Sequence, residues 1–197
     1  YELGGKFNLI DKRLTLNVTL YRIDWENIPV NVFDTSDVCP GNLAVIDNFG
    51  EARSEGVELE TRYFATPNLQ LSLSASYMDT EILTDNLGPQ GGRLPLAPRF
   101  NGIVGMQYDF EWQGHTAFLR SDYSYIGDFI SDALFPLPDA EAHGKWNIRA
   151  GIAINQWTLE VYANNLTNED ALTIGQDVTA GRRVIPRIIG FEAGYQF

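Results

Sequence analysis

The closing stretch Arg183–Phe197, RVIPRIIGFEAGYQF, has no helical periodicity. At period 2, Ile189, Phe191, Ala193, Tyr195 and Phe197 fall on one face, and Ile188, Gly190, Glu192, Gly194 and Gln196 on the other. One face is apolar and aromatic to the last residue, and the other is small or polar. A soluble protein would press such a strand's apolar face on a core, whereas a transmembrane barrel would turn it to lipid. The two readings part on whether the rest of the chain repeats the pattern.

It does. Eight further alternating stretches precede it, at about 1–10, 14–25, 48–64, 69–77, 99–111, 115–126, 145–155 and 157–165. Leu69–Tyr77 is the cleanest, with Leu69, Leu71, Leu73, Ala75 and Tyr77 opposed to Gln70, Ser72, Ser74 and Ser76. In the second stretch the alternation slips after Leu20, which predicts a β-bulge there. Connections alternate between short and long. The short turns lie near 11–13, 66–68, 112–114 and 155–156, and the others run to fifteen residues or more. Sorting of loop lengths to opposite ends is the layout of an up-and-down outer-membrane barrel, and sandwiches do not show it.

The non-apolar face carries full charges in mid-strand, at Glu58, Glu60, Arg62, Arg120, Asp122, Arg149 and Glu160. A wet lumen tolerates them, so these seven are the candidate lumen-facing residues. Aromatics gather at strand ends, and Trp25, Tyr77, Tyr125, Trp146 and Trp157 are expected in interfacial girdles. The fold class is therefore all-β, an antiparallel up-and-down transmembrane β-barrel. The alternative is a soluble lipocalin-like or sandwich domain.

The composition agrees. The 197 residues hold 26 acidic and 14 basic side chains, a net charge of -12, which argues against nucleic-acid binding. No run of eighteen apolar residues offers a membrane-spanning helix, but barrel strands hide their apolarity in every second residue. Tyr1 opens inside a strand-like pattern without a signal peptide, and nine strands is an odd number where bacterial barrels are even. A piece of a longer barrel is expected, with an odd number of strands upstream. Cys39 is the single cysteine, so any disulfide would need a partner outside 1–197. His115 and His143 lack nucleophile or metal-ligand partners at motif spacing and read as solvated, so no enzyme, cofactor or resident metal is expected. Gly88–Gly92 reads as a surface loop, since no helix pattern follows it. The sequons at Asn17 and Asn165 read as chance matches.

Several motifs in order resemble the carboxy-terminal barrel of TonB-dependent outer-membrane receptors. They are Tyr1-Glu2-Leu3-Gly4, Asn48–Glu60 (NFGEARSEGVELE), Arg93–Phe100 (RLPLAPRF), Asn164–Glu169 (NNLTNE), Pro186-Arg187 and the terminal GYQF. The resemblance implies that 1–197 is one domain segment, the last nine strands of a barrel of about 22, with the plug domain and further strands upstream. It implies an outer-membrane location in a Gram-negative bacterium. It implies import of a scarce large nutrient, a ferric siderophore first, with cobalamin, haem or an oligosaccharide as alternatives. A passive porin or an adhesion barrel are readings from other classes. Implied partners are the TonB energy-coupling complex, acting through the missing plug, a metal-chelate ligand, outer-membrane lipid and lipopolysaccharide. The barrel-assembly machinery joins them, with Phe191, Tyr195 and Phe197 as its carboxy-terminal signal. Long loops would then face outside and short turns the periplasm.

Overall fold

The computed structural model describes residues 1–34, 43–48, 50–84, 89–132, 137–175 and 180–197; Cys39 and Gly88 lie outside them. Nine strands form one antiparallel sheet: β1 (Glu2–Leu9), β2 (Leu14–Glu26), β5 (Glu51–Thr66), β6 (Leu69–Ile82), β7 (Phe100–Trp112), β8 (His115–Ile126), β9 (His143–Ile154), β10 (Trp157–Asn164) and β13 (Ile188–Tyr195). Each strand pairs with its neighbour in this order, so the sheet is an up-and-down meander. β1 and β13 are its two edges, and the nine strands form an open arc of wall. Two long connections, expected without structure, each hold a hairpin: β3 (Pro29–Asp34) with β4 (Leu43–Asn48), and β11 (Leu172–Gly175) with β12 (Gly181–Arg183). Among the described residues no helix is long and apolar enough to cross a membrane, which says nothing of strands.

Register turns the alternation of each strand into a face of the whole sheet. One row of directly opposed residues crosses all nine strands as Leu9, Leu14, Tyr63, Leu71, Met106, Ser121, Ile148, Ala163 and Ile189. The next row runs Asn8, Thr15, Arg62, Ser72, Gly105, Asp122 and Asn147. Opposed residues in an antiparallel pair point to the same side, so the sheet has an apolar face and a polar face. Among the described residues no core packs against the apolar face. Leu73, Val104, Val161 and Phe191 are 37%, 52%, 55% and 63% exposed. So many exposed apolar side chains on one continuous surface suit a lipid-facing wall and would be an aggregation hazard in water.

Tight turns close the short end. Gln113 and Gly114 have φ of 51° and 79°, and Asn155 has φ of 56°. Positive φ lets two-residue loops follow the strand twist, which Gly and Asn permit at low steric cost. Within the NFGEARSEGVELE motif, Gly56 is needed for space: a Cβ there would overlap the Tyr77 carbonyl oxygen.

β2 has no bulge. Its pairing with β5 runs unbroken from Leu14 opposite Tyr63 to Glu26 opposite Glu51. The slip after Leu20 has another cause, since the two faces exchange character along the strand. Past the row of Leu20, Val57, Tyr77 and Phe100, the apolar side continues as Arg22, Glu55 and Asp79, then Asp24, Arg53 and Glu81. On the opposite side Ile28, Ala52 and Ile82 are buried, with Leu94 packed against them. β5 and β6 have 16 and 14 residues, more than the ~9–11 that a tilted crossing needs. Their outer ends therefore stand clear of the apolar band, where the outward side meets water. Asp79 and Glu81, read from sequence as loop residues, belong to this extension of β6.

A charged wall as the candidate transport surface

All seven expected lumen residues lie on the polar face. Glu58, Glu60 and Arg62 alternate down β5 opposite Thr19, Asn17 and Thr15 of β2. Arg120 and Asp122 stand on β8, Arg149 on β9 and Glu160 on β10. The structure draws four of them together. Arg120, Asp122, Arg149 and Glu160 line a cavity of about 540 Å³ with Gln107 and Asn147. Glu60 and Arg62 line a second, of about 280 Å³, with Asn17, Ser72 and Ser74. Glu58 borders neither.

Arg120 and Arg149 are directly opposed, a pairing that costs stability unless each charge is answered. Arg149 is well answered. Its Nη1 lies 2.7 Å from Glu160 Oε2 and 4.0 Å from Glu192 Oε2, and its guanidinium stacks 5.3 Å from the Tyr162 ring centroid. Arg120 is less so: its Nε is 3.8 Å from Asp122 Oδ1, while Asn147 Nδ2 donates to Asp122 Oδ2 at 2.8 Å. The Arg120 side chain is 59% exposed, so it projects from the wall with donors to spare. On the second patch Asn17 Nδ2 donates to Glu60 Oε2 at 3.2 Å, which uses the amide of the first sequon. The wall thus carries fixed charges of both signs on its polar face. Among the described residues no group of three or more His, Cys, Asp or Glu is placed to hold a metal ion.

The expected girdle residues divide. Tyr77, Tyr125 and Trp146 lie on the apolar face near the long-loop end, with Phe100 5.9 Å from Tyr125 between ring centroids. Trp157 lies on the same face near the short turns and packs 5.0 Å from Tyr195, which meets Phe197 edge-on at 5.2 Å. Phe191 shares that face, opposite Val161. Phe100 and Phe110 of β7 are ten residues apart. At ~3.3 Å per residue and ~40° of tilt they sit about 25 Å apart along the membrane normal, the height of a barrel's apolar band. Trp25 departs from the group. It opposes Ala52 and shares the side of Tyr21 and Ile23, beyond the last apolar row, so it is outside the girdle.

Other residues emerge only in three dimensions. The charged rows beyond the apolar band hold a lattice in which Asp24 accepts from Arg53 Nε at 2.8 Å and from Arg22 Nε at 3.1 Å. Arg99 and Asp79 extend it at 3.3 Å. The Arg53 hydrogen bond, with that of Arg22, holds the Asp24 carboxyl below the usual carboxylate range. His143, expected in a loop and solvated, instead opens β9, is buried, and donates from Nδ1 to the Glu141 carbonyl oxygen at 2.9 Å. The NNLTNE and Pro186-Arg187 motifs meet: Arg187 N donates to Asn168 Oδ1 at 3.0 Å, and its Nη1 to Leu166 O at 3.2 Å. Asn165 Nδ2 donates to the carbonyls of Glu169 and Ile185, both at 2.9 Å. That amide is buried, so the second sequon is closed to glycosylation.

The family model for the β-barrel of TonB-dependent receptor-like proteins matches residues 1–166. The metal-pseudopaline receptor of Pseudomonas aeruginosa PAO1 is 32% identical over 170 residues, which are 84% of this chain and 23% of the relative. The ferric yersiniabactin uptake receptor of Yersinia pestis superposes on 98% of this chain and 29% of its own, with a TM-score of 0.82 at 18% identity. The ferric-catecholate import receptor of E. coli K12 superposes on 100% of this chain and 27% of its own, with a TM-score of 0.77 at 22% identity. This chain spans less than a quarter of the length of the metal-pseudopaline receptors it matches.

Proposed function

Since the chain belongs to the TonB-dependent receptors, outer-membrane proteins of Gram-negative bacteria, through their β-barrel, we propose that it is wall and outer rim of an importer of metal chelates, with ferric siderophores first among them. The observation that carries this reading is the 32% identity with a receptor named for a metal–chelator complex. Structural likeness to receptors for ferric yersiniabactin and ferric catecholates is in keeping with it. In this reading the polar face, with Glu58, Glu60, Arg62 and the Arg120–Arg149 patch, lines the lumen. The long connections gather at the outer mouth and meet the ligand first. Energy comes from TonB, acting on a plug this segment does not include. The step is binding and translocation, with no bond made or broken in the ligand, and the protein is not an enzyme.

Accumulation of radiolabelled iron, nickel and zinc, each supplied with a catecholate, a hydroxamate or an amino-carboxylate chelator, tests the reading in cells carrying or lacking the complete receptor. Receptor-dependent uptake of at least one chelate, lost when TonB is deleted, is expected. No such uptake, together with faster swelling of receptor-loaded liposomes in small sugars, would replace the importer by a passive channel.

A further inference from the structure

The three long connections after β6, β8 and β10 are joined to one another by hydrogen bonds. Arg93, in the first, reaches the second: its Nη2 donates to Asp128 O at 3.1 Å, and its Nη1 to Asp128 Oδ2 at 3.4 Å. The same Nη2 braces its own loop through Ala97 O at 3.3 Å. Leu96 N donates across to Ile130 O at 2.9 Å. Ser131 ties the second to the third. Its buried hydroxyl donates to Pro138 O at 2.7 Å and accepts from Gly175 N at 2.9 Å. Glu141 N donates to Leu172 O at 2.8 Å, and Leu172 N to Glu141 Oε2 at 2.8 Å. Both ends of this chain of contacts are anchored in the wall. Leu94 N donates to Thr80 Oγ1 of β6 at 3.0 Å, and Asn165 N to Asn147 Oδ1 of β9 at 3.0 Å.

These are the marks of a folded layer. Ala140, Ala171 and Val184 are buried within it at 1%, 3% and 7% exposure, and the Arg93 side chain is only 22% exposed. A Cβ at Gly175 would overlap the Pro138 carbonyl oxygen, so the second and third loops are in close contact. Segments that open locally have few buried apolar contacts and solvent-exposed backbone bonds, whereas here Ala140, Ala171 and Val184 are buried and so is the bond from Gly175 N to Ser131. We propose that the described parts of the three loops, 89–98, 127–132 with 137–142, and 165–175 with 180–187, form one preformed rim, keyed by Arg93 and Ser131, which keeps its shape without ligand and meets the ligand as a fixed surface. The rim's place at a ligand entrance rests on the import reading, whereas its rigidity does not. Arg93 and Ser131 are positioning residues here. The planar fork of one guanidinium holds two loops at once from two nitrogens, a geometry that the single nitrogen of an ammonium lacks.

Amide exchange on the complete receptor, folded in detergent without ligand, tests the rigidity. The amides of Leu96, Ala140, Glu141, Leu172 and Gly175 should exchange at least about fivefold slower than in an unstructured peptide, the factor one ordinary hydrogen bond supplies. Arg93→Ala should speed exchange about fivefold at 127–132 as well as at 89–98, with β7 and β8 unchanged as evidence of an intact wall. Ser131→Ala should do the same at Gly175. Unprotected amides in the wild type, or an Arg93→Ala effect confined to 89–98, would overturn the proposal. A second arm joins the second and third loops by a disulfide, Glu141→Cys with Leu172→Cys, and follows uptake of radioiron given as ferric citrate to iron-starved cells producing their own chelators. Uptake within twofold of wild type is expected. A loss that a reductant reverses would show that the loops must part. Absence of uptake in the wild type would remove the import reading and leave the exchange data to decide the rim.

Discussion

At the scale of single residues, polar side chains fix irregular backbone. Asn165 shows how. It has φ of 50°, is 3% exposed, and its Oδ1 accepts from Glu169 N at 2.8 Å while Nδ2 serves two carbonyls. Removing the amide breaks three part-buried hydrogen bonds, at ~0.5–1.5 kcal/mol each, and the left-handed backbone adds ~1 kcal/mol for any residue with a plain Cβ. We therefore expect Asn165→Ala to destabilise the folded protein by about 3 kcal/mol in a urea titration. Asn165→Gly should recover about 1 kcal/mol of that by accepting the positive φ. Equal stability of Asn165→Ala and wild type would mean that water replaces the whole network. Arg120 and Arg149 show the complementary case on the wall, where like charges face each other and are tolerated because carboxylates and a Tyr ring neutralise one of them.

At the scale of the strand, the two faces answer to different solvents. Leu73 opposes Thr61 and Val104 midway between the aromatic ends of the apolar face, and Ser74 opposes Glu60 and Ile103 on the polar face. Leu73→Arg should cost ~2–4 kcal/mol, the penalty for Arg near the bilayer midplane. Ser74→Arg should fall within about 0.5 kcal/mol of wild type, as solvated substitutions do, because it lands opposite Glu60. Ser72 is a poorer control, since an Arg there would face Arg62. Unfolding titrations in lipid vesicles give both numbers, and similar losses would reject the assignment of faces.

At the scale of the whole molecule, loop lengths and strand ends set direction. Short turns and the end of β13 share one end of the sheet, and the long connections the other. In a Cys39→Ser background, Asp139→Cys should react with a membrane-impermeant maleimide on intact cells and Asn68→Cys should not; both sites are exposed. The reverse pattern would invert the orientation. Phe197 is fully exposed beyond the last paired residue and rests edge-on against Tyr195. β13 is an open edge that must be paired before it aggregates, and an assembly factor adding a strand there could read its aromatic face. Deleting Phe197 should lower the amount of heat-modifiable folded receptor in outer-membrane fractions, while Gln196→Ala should assemble normally. Full assembly without Phe197 at native expression would reduce it to a girdle aromatic.

The amino-acid sequence by itself determined the nine wall strands, their apolar and polar faces, the short and long ends and the family resemblance. All of these follow from alternation and turn chemistry, which are local. Register, contact and depth were decided only by tertiary structure. Opposed pairing sets Arg120 against Arg149 and gathers Asp122 and Glu160 beside them, because strands far apart in sequence align row by row. The slip after Leu20 looked like a bulge, since the sequence carries no mark of where lipid ends; strand length and pairing show the faces inverting above the apolar band. The same inversion takes Trp25 out of the girdle. The joined loops were the least legible, because Arg93, Ser131, Glu141 and Asn165 act through backbone atoms of other loops, and a hydrogen bond to a backbone carbonyl leaves no pattern in the residues around it.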